Sequence, residues 1–175
     1  MFQQRKDIHM VLKSLLENTM KEWEWEDEVE TNEDGNVHIV ATPYGIDGNS
    51  YRLFLESHDG PQLIKIYLYS PHLIPEKRQK EACVVLNRLN KDVYAGALDL
   101  LGENVRFVQV IDVEGFIPEV RLLSNMRAAA GNAFRPQIAQ AIGALAFTKL
   151  SVDDVIAQYE TPDDDGDEGE VPDEL

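Results

Sequence analysis

Apolar residues recur along this chain with two periods, and the switch from one to the other lays out its elements. Ile8, Val11, Leu12, Leu15 and Leu16 fall on one side of a helix predicted over residues 3–18, with Lys6, Asp7, Lys13 and Glu17 on its wet side. The stripe lasts barely two heptads, too short for a coiled coil. Trp23 and Trp25 then alternate with Glu22, Glu24 and Glu26, the period of a half-buried strand with its acids outward. The two indoles either seal the edge of the core or anchor a partner, a role in which Trp is enriched. A turn cluster at residues 32–36 follows. A short strand comes next, in which Val37, Ile39 and Ala41 alternate with His38 and Val40, and Pro43 stops it. Residues 44–49 read as a loop. Its two glycines make no phosphate cradle, because no Gly-Lys-Ser/Thr and no helix follow.

Two hairpins flank a central helix. In the first, Asp59-Gly60 signals a type I′ turn between alternating runs over residues 51–69. A two-residue loop pairs His58 with Pro61; Leu55 then meets Ile64, Leu53 meets Ile66 and Tyr51 meets Leu68, and these three pairs make an apolar face suited to the core. The other face pairs Phe54 with Lys65 and Arg52 with Tyr67, as cation–π contacts, and carries Tyr69, Leu63 and Glu56. The central helix spans residues 75–90: Pro75 suits its first position, Glu76 its first turn, and Ala82, Val85, Leu86 and Leu89 make its stripe. Asn90 ends it in a left-handed conformation. Its opposite side carries Lys77, Arg78, Lys80, Glu81 and Arg88.

The second hairpin joins residues 93–100 and 105–112 through a four-residue loop. Leu100 then meets Val105, Leu98 meets Phe107 and Tyr94 meets Ile111; Asp99 meets Arg106 and Ala97 meets Val108 on the other side. A one-residue slip would mix the faces. Both faces are rather apolar and call for cover on both sides, by two helix layers or by one layer and another subunit. Pro118 opens a helix with Val120, Leu123 and Ala130 on one side, and Gly131-Asn132 ends it. Pro136 opens the next, with an Ile138, Ala141, Ile142, Leu145 stripe and a small side of Ala139, Gly143 and Ala144 that permits close helix approach. Ser151 caps a last short helix bearing Val152, Val155, Ile156 and Tyr159. The pattern predicts an α+β fold: an antiparallel sheet with an N-terminal helix, a central helix and C-terminal helices.

Charge changes this picture at one end. The chain carries −16 over 175 residues, and nine of its acids lie in residues 160–175 without a base, leaving the rest at −7. That division predicts one folded domain over residues 1–159 and a disordered acidic tail over 160–175. The tail is no calcium loop: with Gly166 at position six, Thr161 and Pro172 stand where acids are needed. The balance argues against nucleic acid and against an anionic membrane as partners. Nothing near the start leads into a signal-peptide core, and no run approaches the ~18 apolar residues of a membrane span, so a cytoplasmic protein is expected. A lone Cys83, expected as a small buried hydrophobe, forms no intramolecular disulfide and fits a reducing compartment.

Little chemistry announces itself. His9, His38, His58 and His72 have no His or Cys at zinc-ligand spacing, and His58-Asp59 sits at a hairpin tip, a poor place for a buried base. There is no nucleophile elbow, Walker sequence or dinucleotide fingerprint. No catalytic residue, metal or cofactor is expected.

The phrase Val84-Val85-Leu86-Asn87-Arg88-Leu89-Asn90, followed by the small-residue strand Tyr94-Ala95-Gly96-Ala97-Leu98 and set in this element order, resembles the YbjN-like family of small bacterial domains. The likeness covers residues 8–159 and is densest over 81–107; the last helix and the tail are not part of the pattern. The resemblance implies the α+β fold of type III secretion chaperones, dimers that bind protein segments, and no catalytic residues. Members of the family have been called regulators of sensory transduction or stress responses. Three readings stand: a homodimeric, non-enzymatic chaperone- or adaptor-like module; an enzyme whose site forms across a dimer without local motifs; an acidic regulator engaging a basic partner through its tail. For the first, the candidate protein-binding residues are Arg52, Phe54, Tyr67 and Tyr69.

Overall fold

The computed structural model describes residues 2–160, with side chains from Leu12 onward. The side chains of Ile8, His9 and Val11, and the acidic tail beyond Glu160, lie outside the described residues. The elements run α1 (Phe2–Glu22), β1 (Glu30–Thr31), β2 (Val37–Ile46), β3 (Asn49–His58), β4 (Leu63–Leu73), α2 (Gln79–Leu89), β5 (Ala97–Leu101), β6 (Asn104–Asp112), α3 (Val120–Asn132), α4 (Pro136–Phe147) and α5 (Val152–Glu160). Short 3-10 turns at Glu76–Arg78 and Asn90–Asp92 extend α2 at both ends. The strands form one antiparallel sheet in the order β1-β2-β3-β4-β6-β5. The predicted α+β class is therefore the observed one.

One face of that sheet is apolar and dry. Tyr51, Leu53 and Leu55 of β3, Ile64, Ile66 and Leu68 of β4, and Val105 and Phe107 of β6 are buried together with Leu12, Leu15 and Leu16 of α1, Val85 and Leu89 of α2, Leu123 of α3, Ile138 and Ile142 of α4, and Val155 of α5. Among the described residues, the helical stripes read from the sequence lie in this core or, for Val120, Val152, Ile156 and Tyr159, pack half-buried against it. Alternation puts every second strand residue there, and burial of an aliphatic or aromatic side chain contributes roughly 1.5–3 kcal/mol.

Several expected details differ. Trp23–Val29 is not a strand: α1 continues to Glu22, Trp23 N–H donates to the Thr19 carbonyl, and Glu24 takes a positive φ of 57°. The indoles pack instead against the rim of the core. Trp23 Nε1 donates to Ser124 Oγ at 3.1 Å, and the Arg127 guanidinium lies 4.0 Å from the Trp23 ring and 5.6 Å from Trp25. Pro43 does not stop β2. Asp47-Gly48 closes the β2–β3 hairpin as a two-residue turn, with φ of 46° and 78°, the double positive of type I′. Pro118 and Glu119 precede α3 rather than open it.

The β3–β4 hairpin is slipped by two residues from the predicted register: His58 pairs with Leu63, and Asp59-Gly60-Pro61-Gln62 is a four-residue loop with Gln62 at φ 51°. Proline is the reason. The residue flanking a two-residue turn must donate its N–H across the hairpin, and Pro61 has none. A slip of two preserves the faces. Leu55 now meets Ile66, Leu53 meets Leu68, Phe54 meets Tyr67 and Arg52 meets Tyr69, while Lys65 stands opposite Glu56.

In the second hairpin the predicted pairs from Ala97 to Val108 are the observed ones, and Gly102-Glu103 tightens the turn so that Leu101 also meets Asn104. Residues 93–96 are not strand, however. Ala95 has φ 53°, and Tyr94 is 84% exposed rather than opposite Ile111. Phe107 decides this: a Cβ on Gly96 would lie 2.4 Å from its ring, so the chain passes directly over a buried phenyl where only glycine fits. Cys83 is exposed, not buried.

Candidate functional site: the open face of the sheet

The opposite face of the sheet has no helix on it among the described residues. Its cross-strand rows follow from the register. Ala41, Phe54, Tyr67, Val108 and Ala97 make one row; Pro43, Arg52, Tyr69, Arg106 and Asp99 make the next; Ile39, Glu56, Lys65 and Val110 make a third. Phe54, Tyr67 and Tyr69 are half-buried by one another and by their neighbours, and they stand apart from the core cluster. The four residues singled out from sequence are thus brought together, on a surface and not under the terminal helices. Sequence reasoning missed Arg106, which completes the group. Its signal was the Asp99–Arg106 pair, assigned there only to the register.

Arg106 holds the aromatics in place. Its Nε and a terminal nitrogen donate to both oxygens of Asp99, at 2.7 and 3.0 Å. Its other terminal nitrogen donates to the Tyr69 hydroxyl at 3.1 Å. The guanidinium lies 5.1 Å from the Tyr67 ring and 5.8 Å from Tyr69. Phe54 and Tyr69 meet edge to face at 5.4 Å, and Arg52 lies 5.5 Å from the Phe54 ring. The observed cation–π pairs are therefore diagonal and lateral rather than Phe54–Lys65 and Arg52–Tyr67. The Asp99 hydrogen bonds keep Arg106 protonated well above its ordinary range. Burial first, then the Glu56 carboxylate, pushes the Tyr67 phenol up. Beside Arg52 and Tyr69 a recess of about 360 Å³ opens between Pro43, Ser50 and Pro71.

The rims of the sheet are closed to strand addition. Counting in alternation from the Asp47-Gly48 turn, the outward backbone groups of β2 belong to Val37, Ile39, Ala41, Pro43 and Gly45. Asn32 and β1 take the first two, and Pro43 has no N–H to offer in the middle of the rest. On the other rim, Leu98 of β5 points its backbone outward, where the Asn90 side chain meets it as a strand would. Asn90 Nδ2 donates to the Leu98 carbonyl at 2.9 Å, and Asn90 Oδ1 accepts from the Leu98 N–H at 2.7 Å. Asn90 does not take the expected left-handed conformation: its φ is −62° and its amide, not its backbone, carries its role.

One other polar alignment bears on chemistry. The Thr31 hydroxyl lies 3.0 Å from His38 Nδ1, and His38 Nε2 lies 3.0 Å from Asp59 Oδ2. Asp59 is buried in spite of its place at the hairpin tip. Hydroxyl, imidazole and carboxylate in line are the parts of an activated nucleophile. Here the N–H groups of Gly35, Asn36 and Val37 are already given to Asn32, and none is free to hold an oxyanion. The alignment ties β1, β2 and the β3–β4 loop together. No group of three or more metal-ligating side chains gathers among the described residues, and no helix there is long and apolar enough to cross a membrane.

Fold and site together define an α+β protein with a helix layer on one face of its sheet and an aromatic, arginine-braced surface on the other. No protein-family model matches the chain, and no curated protein matches it. It is similar to a chain in a solved structure described as "Structure of the HopA1-SchA Chaperone-Effector Complex", with a TM-score of 0.48 and 18% identity over 75% of this chain and 95% of that one.

Proposed function

We propose that this chain is a non-enzymatic, protein-binding module of chaperone- or adaptor-like kind, and that its open sheet face receives the partner. The observation that carries the reading is the set Phe54, Tyr67 and Tyr69, fixed in place by Arg106 and Asp99 yet outside the core. Pre-ordered aromatics beside an arginine are the side chains that dominate protein interfaces, because little entropy is lost when they are covered. Charge points the same way. In a chain of −16, Arg52, Lys65 and Arg106 on this face are matched by Glu56, Asp99 and Asp112. A partner thus meets no net repulsion here. The closed rims favour docking onto the face over augmentation of an edge.

The YbjN-like resemblance supports the same reading and adds a homodimer, a cytoplasmic setting and a folded body followed by an acidic tail. Half-exposed Val110 and Leu101 extend the face toward the second hairpin, where a second subunit would supply the cover its apolar outer side calls for. The test replaces Tyr67 and Tyr69 together by Ala. Suppression of aggregation of a heat-unfolded reporter enzyme is the readout, beside a melt. Lost suppression with an unchanged melt supports the face. Destabilisation of ~3 kcal/mol or more, typical of truncated core aromatics, places these rings in the core and ends the proposal. Light scattering that gives a monomer mass at micromolar concentration ends the dimer.

A further inference from the structure

A crevice of about 300 Å³ lies on the helical side of the molecule, between the β2–β3 turn, the end of β4 and the first two turns of α4. That is the lower end of the size of a small-molecule site. Its floor is a pair of rings: Tyr51 and Phe134, 4% and 1% exposed, meet with their centroids 4.9 Å apart. His72 of β4 stands at one wall, edge-on to Phe147 at 5.0 Å. The wall of α4 shows Ala139 and Gly143. Both belong to the small side of that helix read from the sequence, and here small residues leave an opening. A Cβ on Gly143 would come to 4.0 Å from His72 Cδ2.

Three polar groups converge above that floor, and none is engaged elsewhere. The Tyr51 hydroxyl has no hydrogen-bond partner among the described residues, although the rest of the side chain is buried. It is the end of the ring that nears the turn: burial first, and then the Asp47 carboxylate, hold the phenol above its ordinary range. The Asp47 carboxylate and the Gln140 amide are likewise without a partner among the described residues. No lysine or arginine is among the residues that line the crevice, and Pro136, where α4 begins, has no N–H to offer an anion. A neutral ring would fill the floor and leave the carboxylate unmatched. An ammonium carries three N–H donors and no acceptor. The Asp47 carboxylate, the Tyr51 oxygen and the Gln140 amide oxygen are three acceptors.

We propose that this crevice binds a small primary amine carried on a flat apolar body, with the ammonium at Asp47 and the body over the Tyr51 and Phe134 rings. The volume admits a small molecule and no element of a folded partner. The net charge of −16 favours a cation over an anion well before contact. The crevice is separate from the open face of the sheet, and neither site depends on the other.

Benzylamine is the probe, titrated into the full chain and followed by NMR through the backbone amides of Asp47, Gln140 and Gly143. Saturable shifts there with a Kd on the order of 1 mM, suited to a ligand of so few atoms, are the expected result. Benzyl alcohol keeps the ring without the charge, and methylamine keeps the charge without the ring. Each should bind at least about fivefold more weakly. Asp47→Asn keeps a residue suited to the left-handed turn position, and Tyr51→Phe keeps the buried ring. Each should weaken benzylamine by about fivefold. No saturable shift at these amides up to about 10 mM overturns the proposal. So does equal affinity for benzyl alcohol or for methylamine, or undiminished affinity in either variant. Shifts confined to the open face or to residues 160–175 overturn it as well, since the amine would then be held elsewhere.

Discussion

Asn90→Ala should be the most informative single change on the surface of this molecule. The Asn90 amide makes two hydrogen bonds to the backbone of Leu98, at 2.9 and 2.7 Å, with Asn90 half-buried and Leu98 buried. Each contributes about 0.5–1.5 kcal/mol net, so their loss costs about 1–3 kcal/mol. The cost is not only that of two bonds. With the amide gone, the Leu98 N–H and carbonyl become an open strand rim next to a short edge strand, where another chain can pair. Urea unfolding followed by far-ultraviolet circular dichroism measures the first effect, and hydrogen exchange at the Leu98 amide measures the second. Faster exchange at Leu98, with the amides of β4 still protected, is the local signature expected. A loss below 0.5 kcal/mol with Leu98 still protected would refute the assignment and return Asn90 to the status of an ordinary helix end.

Gly96→Ala should destabilise by about 1–3 kcal/mol or more, because the new methyl would sit 2.4 Å from a fully buried phenyl and 2.7 Å from the Val108 carbonyl. Gly60→Ala, with nothing within 4 Å, is its control and should stay within about 0.5 kcal/mol in the same urea titration. Glu160 should titrate below the ordinary glutamate range, because Lys91 and then Arg88 bond its charged form. The pairing is complete above the ordinary range and is lost as pH falls through the lowered pKa, so the end of α5 should loosen only in strong acid. A side-chain carbon titration by NMR that gives an ordinary or raised value contradicts this. A chain ending at Glu160 should melt within a few degrees of the full one by calorimetry, because screened surface pairs add little to global stability; a large drop would make the tail part of the core.

The parts of the fold legible in the sequence are those where two signals agree. In the second hairpin, Leu98–Phe107 on one side and Asp99–Arg106 on the other both demand one register, and that register is observed. At Ser151 the cap is reciprocal: Ser151 Oγ accepts from the Asp154 N–H, and Asp154 accepts from the Ser151 N–H and hydroxyl. Where one local signal stood alone it misled. Asp47-Gly48 and Asp59-Gly60 are the same dipeptide, and the one read as a two-residue turn is the one that is not, because Pro61 follows it. The Trp23–Trp25 alternation is real in burial but comes from the turn that ends α1, where the Trp23 and Trp25 N–H groups still donate to the Thr19 and Met20 carbonyls and Trp23 reaches Ser124 of α3. The aromatic face survived the wrong register because an even slip moves partners without moving faces. That it is uncovered was not legible at all, since period two names two faces and does not say which one the helices take.

The two indoles also decide what can be watched in solution. Trp23 and Trp25 are the only tryptophans, they meet edge to face at 4.8 Å, and both lie under Arg127 at the seam between α1 and α3. Their emission is a local gauge of that seam. It will follow the departure of α1 from α3, whatever happens elsewhere. The open face holds phenols and a phenyl but no indole, so a partner settling there should leave tryptophan fluorescence unmoved while altering tyrosine absorbance and near-ultraviolet dichroism. A silent fluorescence titration is thus the expected sign of binding at that face, and a change in indole emission would place the ligand on the opposite side of the molecule.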